Sequence, residues 1–112
     1  MSQYEPKNQQ TQLQALRVQD LAVSGADAGL YSISGGNTFV FINEPVEKVF
    51  VASVKVDGTN SFTEFAQANI SVVDTVSLTT AAPSNRGAIK LTGLAALAAN
   101  DVILVRYSVQ SR

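Results

Sequence analysis

Short runs of β-branched and aromatic residues, separated by turn residues, recur along this chain from Leu16 onward. The 112 residues include 14 valines, 5 isoleucines and 8 threonines, and these types favour an extended backbone over a helix. About seven such runs follow one another at a spacing of about 8–12 residues, which is typical of sandwiches and barrels. The sequence therefore predicts an all-β fold, either an antiparallel β-sandwich or a small barrel of about seven short strands.

The clearest strand covers residues 101–110, where apolar and polar residues alternate. Ile103, Val105, Tyr107 and Val109 share one face, because successive side chains of a strand point to opposite sides. The other face begins apolar and becomes polar towards its end. We expect the first face to line the core.

A second alternating run covers residues 47–56. We expect Phe50, Ala52, Val54 and Val56 to line its core face, since these four are all apolar and two positions apart.

Other segments are predicted from turn residues and apolar runs, and for some of them both a strand and a helix are possible. Two glycines followed by Asn at positions 35–37 predict a hairpin turn, and the apolar run 38–42 predicts a strand covered on both faces. Residues 13–23 fit either a strand or one face of a helix, and we favour the strand. Residues 62–68 and 94–99 are each long enough for one helical turn.

The first fourteen residues differ in composition from the rest, since five of them are Gln. A polar segment cannot offset its own ordering entropy by apolar burial. We therefore divide the chain into an extended polar N-terminal arm, residues 1–14, and a single β-sandwich domain, residues 15–112. We expect the arm to lie against a neighbouring molecule.

Composition argues against an enzyme, because the chain has no Cys, no His and no Trp. It therefore offers no cysteine nucleophile, no Ser-His-Asp triad and no ordinary zinc site. The carboxylates outside the arm are scattered and mostly flank predicted turns, where a catalytic pair would have to face across a cleft. Those carboxylates are Asp20, Asp27, Glu44, Glu47, Asp57, Glu64, Asp74 and Asp101. The glycines form no nucleotide-binding pattern, so we expect no catalytic residue, no metal and no cofactor.

Net charge and hydropathy also limit the classes of partner that the chain can bind. The formal net charge is −1, which gives the chain no electrostatic means of holding nucleic acid or an anionic membrane. The longest unbroken apolar run, residues 94–99, is far shorter than the ~20 residues needed to span a bilayer. The first residues lack the pattern of a signal peptide, so we expect the chain to be made and kept soluble unless another machinery exports it.

The polar surface is unusual in being mostly uncharged. Gln, Asn, Ser and Thr together number 34, against 17 charged residues. Such a surface can be covered by a partner without stranding buried charges. The composition fits a subunit of an assembly, including a homo-oligomer; the alternative is a neutral sandwich that works alone.

Three stretches follow one another in an order seen in one class of proteins. They read Val-Phe-Val-Ala-Ser-Val-Lys-Val-Asp-Gly at 49–58, Ser-Val-Val-Asp-Thr-Val-Ser-Leu-Thr-Thr-Ala-Ala-Pro at 71–83, and Ala-Asn-Asp-Val-Ile-Leu-Val-Arg-Tyr at 99–107. This succession resembles small β-sandwich domains in virion proteins of tailed bacteriophages, over about residues 47–109. Residues 88–99 have no counterpart in that pattern.

The resemblance implies a structural role in a virus particle. It points first to a capsid decoration (cement) protein that bridges subunits, with the major capsid protein or other virion subunits as partners. For such a protein we expect Tyr4, Pro6 and Leu13 of the arm to be the partner-interface residues. The alternative is a tail, head-fibre or receptor- or carbohydrate-binding module. Of these, a receptor- or carbohydrate-binding module calls for exposed aromatic side chains such as Tyr31, Tyr107 or Phe62.

Overall fold

The computed structural model of the chain describes residues 18–74 and 86–109. Within these ranges it has eight strands and a single 3-10 turn at Gln67–Asn69. The strands are β1 (Val18–Ser24), β2 (Tyr31–Ser34), β3 (Asn37–Ile42), β4 (Val46–Lys55), β5 (Thr63–Glu64), β6 (Ile70–Val73), β7 (Gly87–Thr92) and β8 (Val102–Val109).

The strands form two antiparallel sheets that pack face to face. The first sheet has the order β1-β8-β4-β5 and the second has the order β2-β3-β7-β6. The predicted all-β antiparallel fold is confirmed, and it is the sandwich rather than the barrel. The predicted count of about seven strands is close to the eight observed, and β5 contains only two residues. The predicted arm, residues 1–14, lies outside the described residues.

Two local predictions are confirmed by the pairing of strands. Gly35 and Gly36 join β2 to β3 with φ values of 62° and 81°, the pair of positive φ angles that a type I′ hairpin requires. The choice left open over residues 13–23 is decided for its described part, because β1 is a strand paired along its whole length with β8.

The core lies between the two sheets and includes the predicted inner face of β8. Ile103, Val105, Tyr107 and Val109 are all at most 5% exposed, so this prediction is confirmed. The main cluster of buried side chains is Val23, Val40, Ile42, Val46, Val49, Ala52, Ile89, Leu91, Ile103, Val105, Tyr107 and Val109.

The predicted core face of β4 is wrong at two of its four positions. Ala52 is fully buried and Val54 packs against the core, but Phe50 is 39% and Val56 is 52% exposed. The register of β4 against β8 shifts between Val49 and Val51. An extra residue at a bulge reverses the alternation, so Val49 faces the core and Phe50 faces outward. Val56 follows the last residue of β4 and lies beyond the cover of the opposite sheet.

Of the two segments predicted to hold a helical turn, one is partly helical and the other is not. Residues 62–68 contain β5 and the first part of the 3-10 turn, so only their end is helical. Residues 94–99 form no helix. They lead into a turn in which the Asp101 amide donates to the Ala98 carbonyl at 3.0 Å.

Asp101 clamps one end of the sandwich by accepting hydrogen bonds from two backbone amides. The Asp57 amide donates to Oδ1 at 2.8 Å and the Ala98 amide donates to Oδ2 at 2.9 Å. These bonds, the Asp57 one above all, hold the pKa of Asp101 below its ordinary value of 3.8. The Asp101 carbonyl accepts in turn from the Gly25 amide at 2.9 Å. Asp101 therefore joins three segments of the chain: the one after β4, the one after β7 and the one after β1.

Replacing Asp101 with asparagine is expected to lower Tm at pH 7 by several degrees and to weaken the loss of stability in acid. An amide group can accept only through its single oxygen, so one of the two backbone donors loses its partner. Because folding lowers the pKa of Asp101, its stabilising effect is full above about pH 5 and is lost as pH falls through the lowered pKa. Thermal unfolding followed by circular dichroism from pH 7 to pH 2 measures both effects.

The control is Asp57→Asn, which removes a charge from the same end of the sandwich. From residues within the described ranges, that carboxylate accepts one long bond, from Asn100 at 3.5 Å, so Tm should change little. An equal change of Tm in both variants would show that the two hydrogen bonds accepted by Asp101 add no stability of their own.

Candidate functional site

The outer face of the first sheet, turned away from the core, carries an apolar patch near its centre. Leu104 on β8 is 38% exposed, and its direct neighbours across the strands are Ala22 on β1 and Ser53 on β4. Since both neighbours are small, the Leu104 side chain stands above the sheet surface. We call the apolar residues of this face the outer patch: Ala22, Phe50, Val51, Val102 and Leu104.

Three charged residues beside the outer patch make contacts with other side chains. Arg106 Nε and Nη2 donate to the two carboxylate oxygens of Asp20 at 2.8 and 3.1 Å, which is the bidentate geometry of strong ion pairs. These hydrogen bonds lower the pKa of Asp20 and raise that of Arg106. Lys48 Nζ lies 5.4 Å from the centre of the Phe50 ring, within cation–π distance. Asp20, Arg106 and Lys48 therefore have contacts of their own beside the outer patch, and Lys55 and Glu64 lie on the same face, opposite Val102 and Ser53.

A polar cleft of about 230 Å³ opens between the two sheets beneath β1. At its wall the Tyr107 hydroxyl donates to Gln19 Oε1 at 3.1 Å, and Gln19 Nε2 donates to Glu44 Oε1 at 3.1 Å. Burial raises the pKa of Tyr107, and the negative charges of Glu44 and Asp20 add to that effect. Tyr107 is therefore a neutral hydroxyl at physiological pH, and its proton is already engaged by an amide oxygen.

A second cleft of about 270 Å³, between β5 and the segment after β7, is mostly apolar. Its described lining includes one carboxylate, Glu64, and that of the first cleft includes one, Glu44. Hydrolysis by a pair of carboxylates needs two of them about 5–9 Å apart in one site. Neither cleft brings two carboxylates together among its described residues.

The described ranges, 18–74 and 86–109, contain no group of three or more His, Cys, Asp or Glu side chains placed to hold a metal ion. In the same ranges, no helix has the length and apolar character required to cross a membrane.

The predicted interface residues Tyr4, Pro6 and Leu13 lie outside the described residues, so their roles stay predictions. The aromatic residues named for sugar stacking do lie within them. Tyr107 is 5% exposed, and the half-buried Tyr31 donates its hydroxyl proton to the Gly25 carbonyl at 2.6 Å. Of the three, only Phe62 is exposed, at 42%, which does not make a stacking platform.

Sequence reasoning missed the outer patch as a site. The outward position of Leu104 follows from the alternation along β8, but Phe50 was expected inside. The missing information is the sheet order, which places Ala22 and Ser53 on either side of Leu104 although they are far apart in the chain. A leucine on the outward face of the strand predicted over residues 101–110 is the one sequence signal that points to this site.

The fold and this surface define an antiparallel β-sandwich with an exposed apolar patch on the outer face of one sheet. Comparisons of the chain with protein-family models, with curated proteins and with solved structures gave no match.

Proposed function

We propose that this protein is a non-enzymatic structural component of a virus particle, acting as a capsid decoration (cement) protein. It binds the major capsid protein or other virion subunits through residues 1–14 and through the outer face of the first sheet, and its own copies associate with one another. It acts in the virion, after synthesis in the host cytoplasm.

The observation that carries this proposal is the outer patch. The middle of a protein interface is depleted in unpaired charge and enriched in apolar and aromatic groups, and an exposed apolar patch on a soluble protein commonly marks a binding surface. Leu104 and Phe50 are 38% and 39% exposed on this face. A partner that covers these two side chains removes apolar surface from water, which favours binding.

The neighbouring ion pair suits the same role. Asp20 and Arg106 are each more than half exposed and bind each other through two hydrogen bonds. A partner that approaches this face meets a neutral pair rather than two separate ions, which lowers the cost of removing water from them. The resemblance of residues 47–109 to virion β-sandwiches agrees with a contact role. On a symmetric shell, many weak contacts of this kind add up to tight binding.

Replacing Leu104 with lysine is expected to reduce the number of copies on the particle about tenfold or more, because a charge would be buried in the contact. Particles are purified on a density gradient from cells that produce them with either the wild-type or the variant chain. The bound copies are then counted by quantitative mass spectrometry.

The matched control is Val56→Lys, since Val56 is 52% exposed, the highest value among the large apolar residues that the structure describes, and lies outside the outer patch. This variant should incorporate normally. Equal incorporation of both variants would contradict the role of the outer patch, and absence of the wild-type chain from particles would contradict the proposed function as a whole.

Removal of residues 1–14 tests the arm separately. Loss of incorporation with an unchanged circular dichroism spectrum is the expected result. Normal incorporation and unchanged particle stability would show that the arm makes no contact of importance.

A further inference from the structure

The four edges of the two sheets differ greatly in length. The edge strand β1 has seven residues, whereas β5 has two and both β2 and β6 have four. Long edge strands present rows of backbone donors and acceptors to any other strand, and proteins usually shorten or cover them. In the described part of the chain, β1 pairs with β8 alone.

The turn that follows β1 shows which backbone groups point to its free edge. The Ser24 amide donates to Asp27 Oδ2 at 3.0 Å, and the Ser24 carbonyl accepts from the Asp27 amide at 2.9 Å. Both groups of Ser24 therefore point away from β8. Because the direction alternates along a strand, the amides and carbonyls of Ala22, Asp20 and Val18 also point to the free edge.

We infer that β1 is the surface through which two copies of this chain associate, by antiparallel pairing of β1 with β1 across a two-fold axis. The two first sheets would then form one continuous sheet of eight strands. This inference deepens the proposed function, since it rests on the part of it in which copies associate with one another.

The side chains of β1 select a register for this pairing. With the axis at Leu21, Asp20 of each copy lies opposite Ala22 of the other, and no two carboxylates are directly opposed. An axis at Asp20 would oppose two carboxylates, which is unfavourable. The Asp27 contacts occupy the groups of Ser24, so the ladder consists of four hydrogen bonds between the Asp20 and Ala22 positions.

The inner face of β1 supports the same register. Leu21 is half-buried and lines the cleft together with Leu30, which is 44% exposed. An axis at Leu21 brings the two Leu21 side chains together as a non-hydrogen-bonded pair, the closer kind of cross-strand neighbours. An axis at Gln19 would instead face two amides that already bind Tyr107 and Glu44. Apolar contact thus favours Leu21 at the centre.

Light scattering coupled to size-exclusion chromatography tests the association in solution on the full chain. The expected mass at high micromolar concentration is twice the 11.9 kDa of the chain. Ala22→Pro should raise the dissociation constant of the dimer about a hundredfold, because two interchain bonds are lost and two carbonyls lose their donors. The substitution leaves the β1–β8 ladder intact, since the amide of Ala22 points away from β8; circular dichroism confirms that the variant folds.

Two charge variants at the same position test the register and do not depend on a proline being tolerated. Ala22→Lys places a cation opposite Asp20 of the other copy and should tighten the dimer at low salt. Ala22→Glu should weaken it by about tenfold through like charges, and 0.5 M salt should bring the two variants closer. If the two variants behave alike, the proposed register is wrong.

Hydrogen exchange separates the remaining outcomes. In the dimer, the amides of Asp20 and Ala22 should exchange slowly, and faster on dilution. A monomer in which these amides are protected would mean that the chain covers its own edge, and a monomer in which they exchange fast would mean an open edge; either overturns the inference. A monomer whose Leu104→Lys variant still loses particle binding would overturn it while leaving the capsid role intact, whereas a dimer that never joins particles would overturn the capsid role alone.

Discussion

Replacing Gly25 with alanine is expected to destabilise the sandwich by about 3 kcal/mol, the upper range for overpacking at a site that cannot relax. A Cβ atom at this position would overlap the carbonyl oxygen of Ala98 and come within 2.6 Å of its carbonyl carbon. The Gly25 amide also donates to the Asp101 carbonyl at 2.9 Å, so the backbone is held close to the 98–101 turn. Backbone atoms on both sides leave the new methyl group no space.

Urea unfolding followed by circular dichroism measures this loss, and Gly29→Ala is the matched control. No atom lies within 4 Å of a Cβ built at Gly29, and its φ is not positive. Its free energy of unfolding should therefore stay within about 0.5 kcal/mol of wild type. Similar midpoints for the two alanine variants would mean that β1 and the 98–101 turn are not in close contact.

Replacing Leu91 with alanine is expected to cost about 3–4 kcal/mol, the range found when a leucine is cut back in a closely packed core. Leu91 on β7 is fully buried and belongs to the main cluster between the sheets. It is also paired with Thr38 on one side and with Ile70 on the other. Strands on both sides hold the backbone in place, so the cavity left by the side chain cannot close.

The same substitution at Leu104 provides the comparison. Leu104 is 38% exposed, and its loss leaves no enclosed cavity, so we expect a cost of about 1 kcal/mol or less. Chemical denaturation of the two leucine variants under identical conditions measures the difference. If Leu104→Ala proves as damaging as Leu91→Ala, the outer patch is part of the core and is not available to a partner.

The features that could be predicted from the sequence are those set by neighbours along the chain. The inner face of β8 follows from its alternation, and the hairpin follows from Gly35 and Gly36, whose freedom to adopt positive φ is a property of glycine itself. For residues 13–23 the strand was favoured over the helix, because the apolar residues there also fit a strand. In each case the pattern along a few residues carries enough information.

The features that could not be predicted depend on contacts between distant residues. The bulge next to Phe50 turns that ring outward because the register of β4 is set by its pairing with β8. The outer patch exists because β8 lies between β1 and β4, which places Ala22 and Ser53 beside Leu104. Neither the register nor the sheet order can be predicted from the alternation of apolar and polar residues along one strand.

The sequence by itself determined that this chain is an all-β protein with a charge-poor surface, because residue type limits the backbone conformation and the chemistry of each side chain. Only the tertiary structure decided which apolar side chains stay exposed and which strand forms the longest sheet edge in the described part of the chain. Those properties arise when strands far apart in the chain pair in one order and register, and the energy of that choice comes from packing over the whole sandwich.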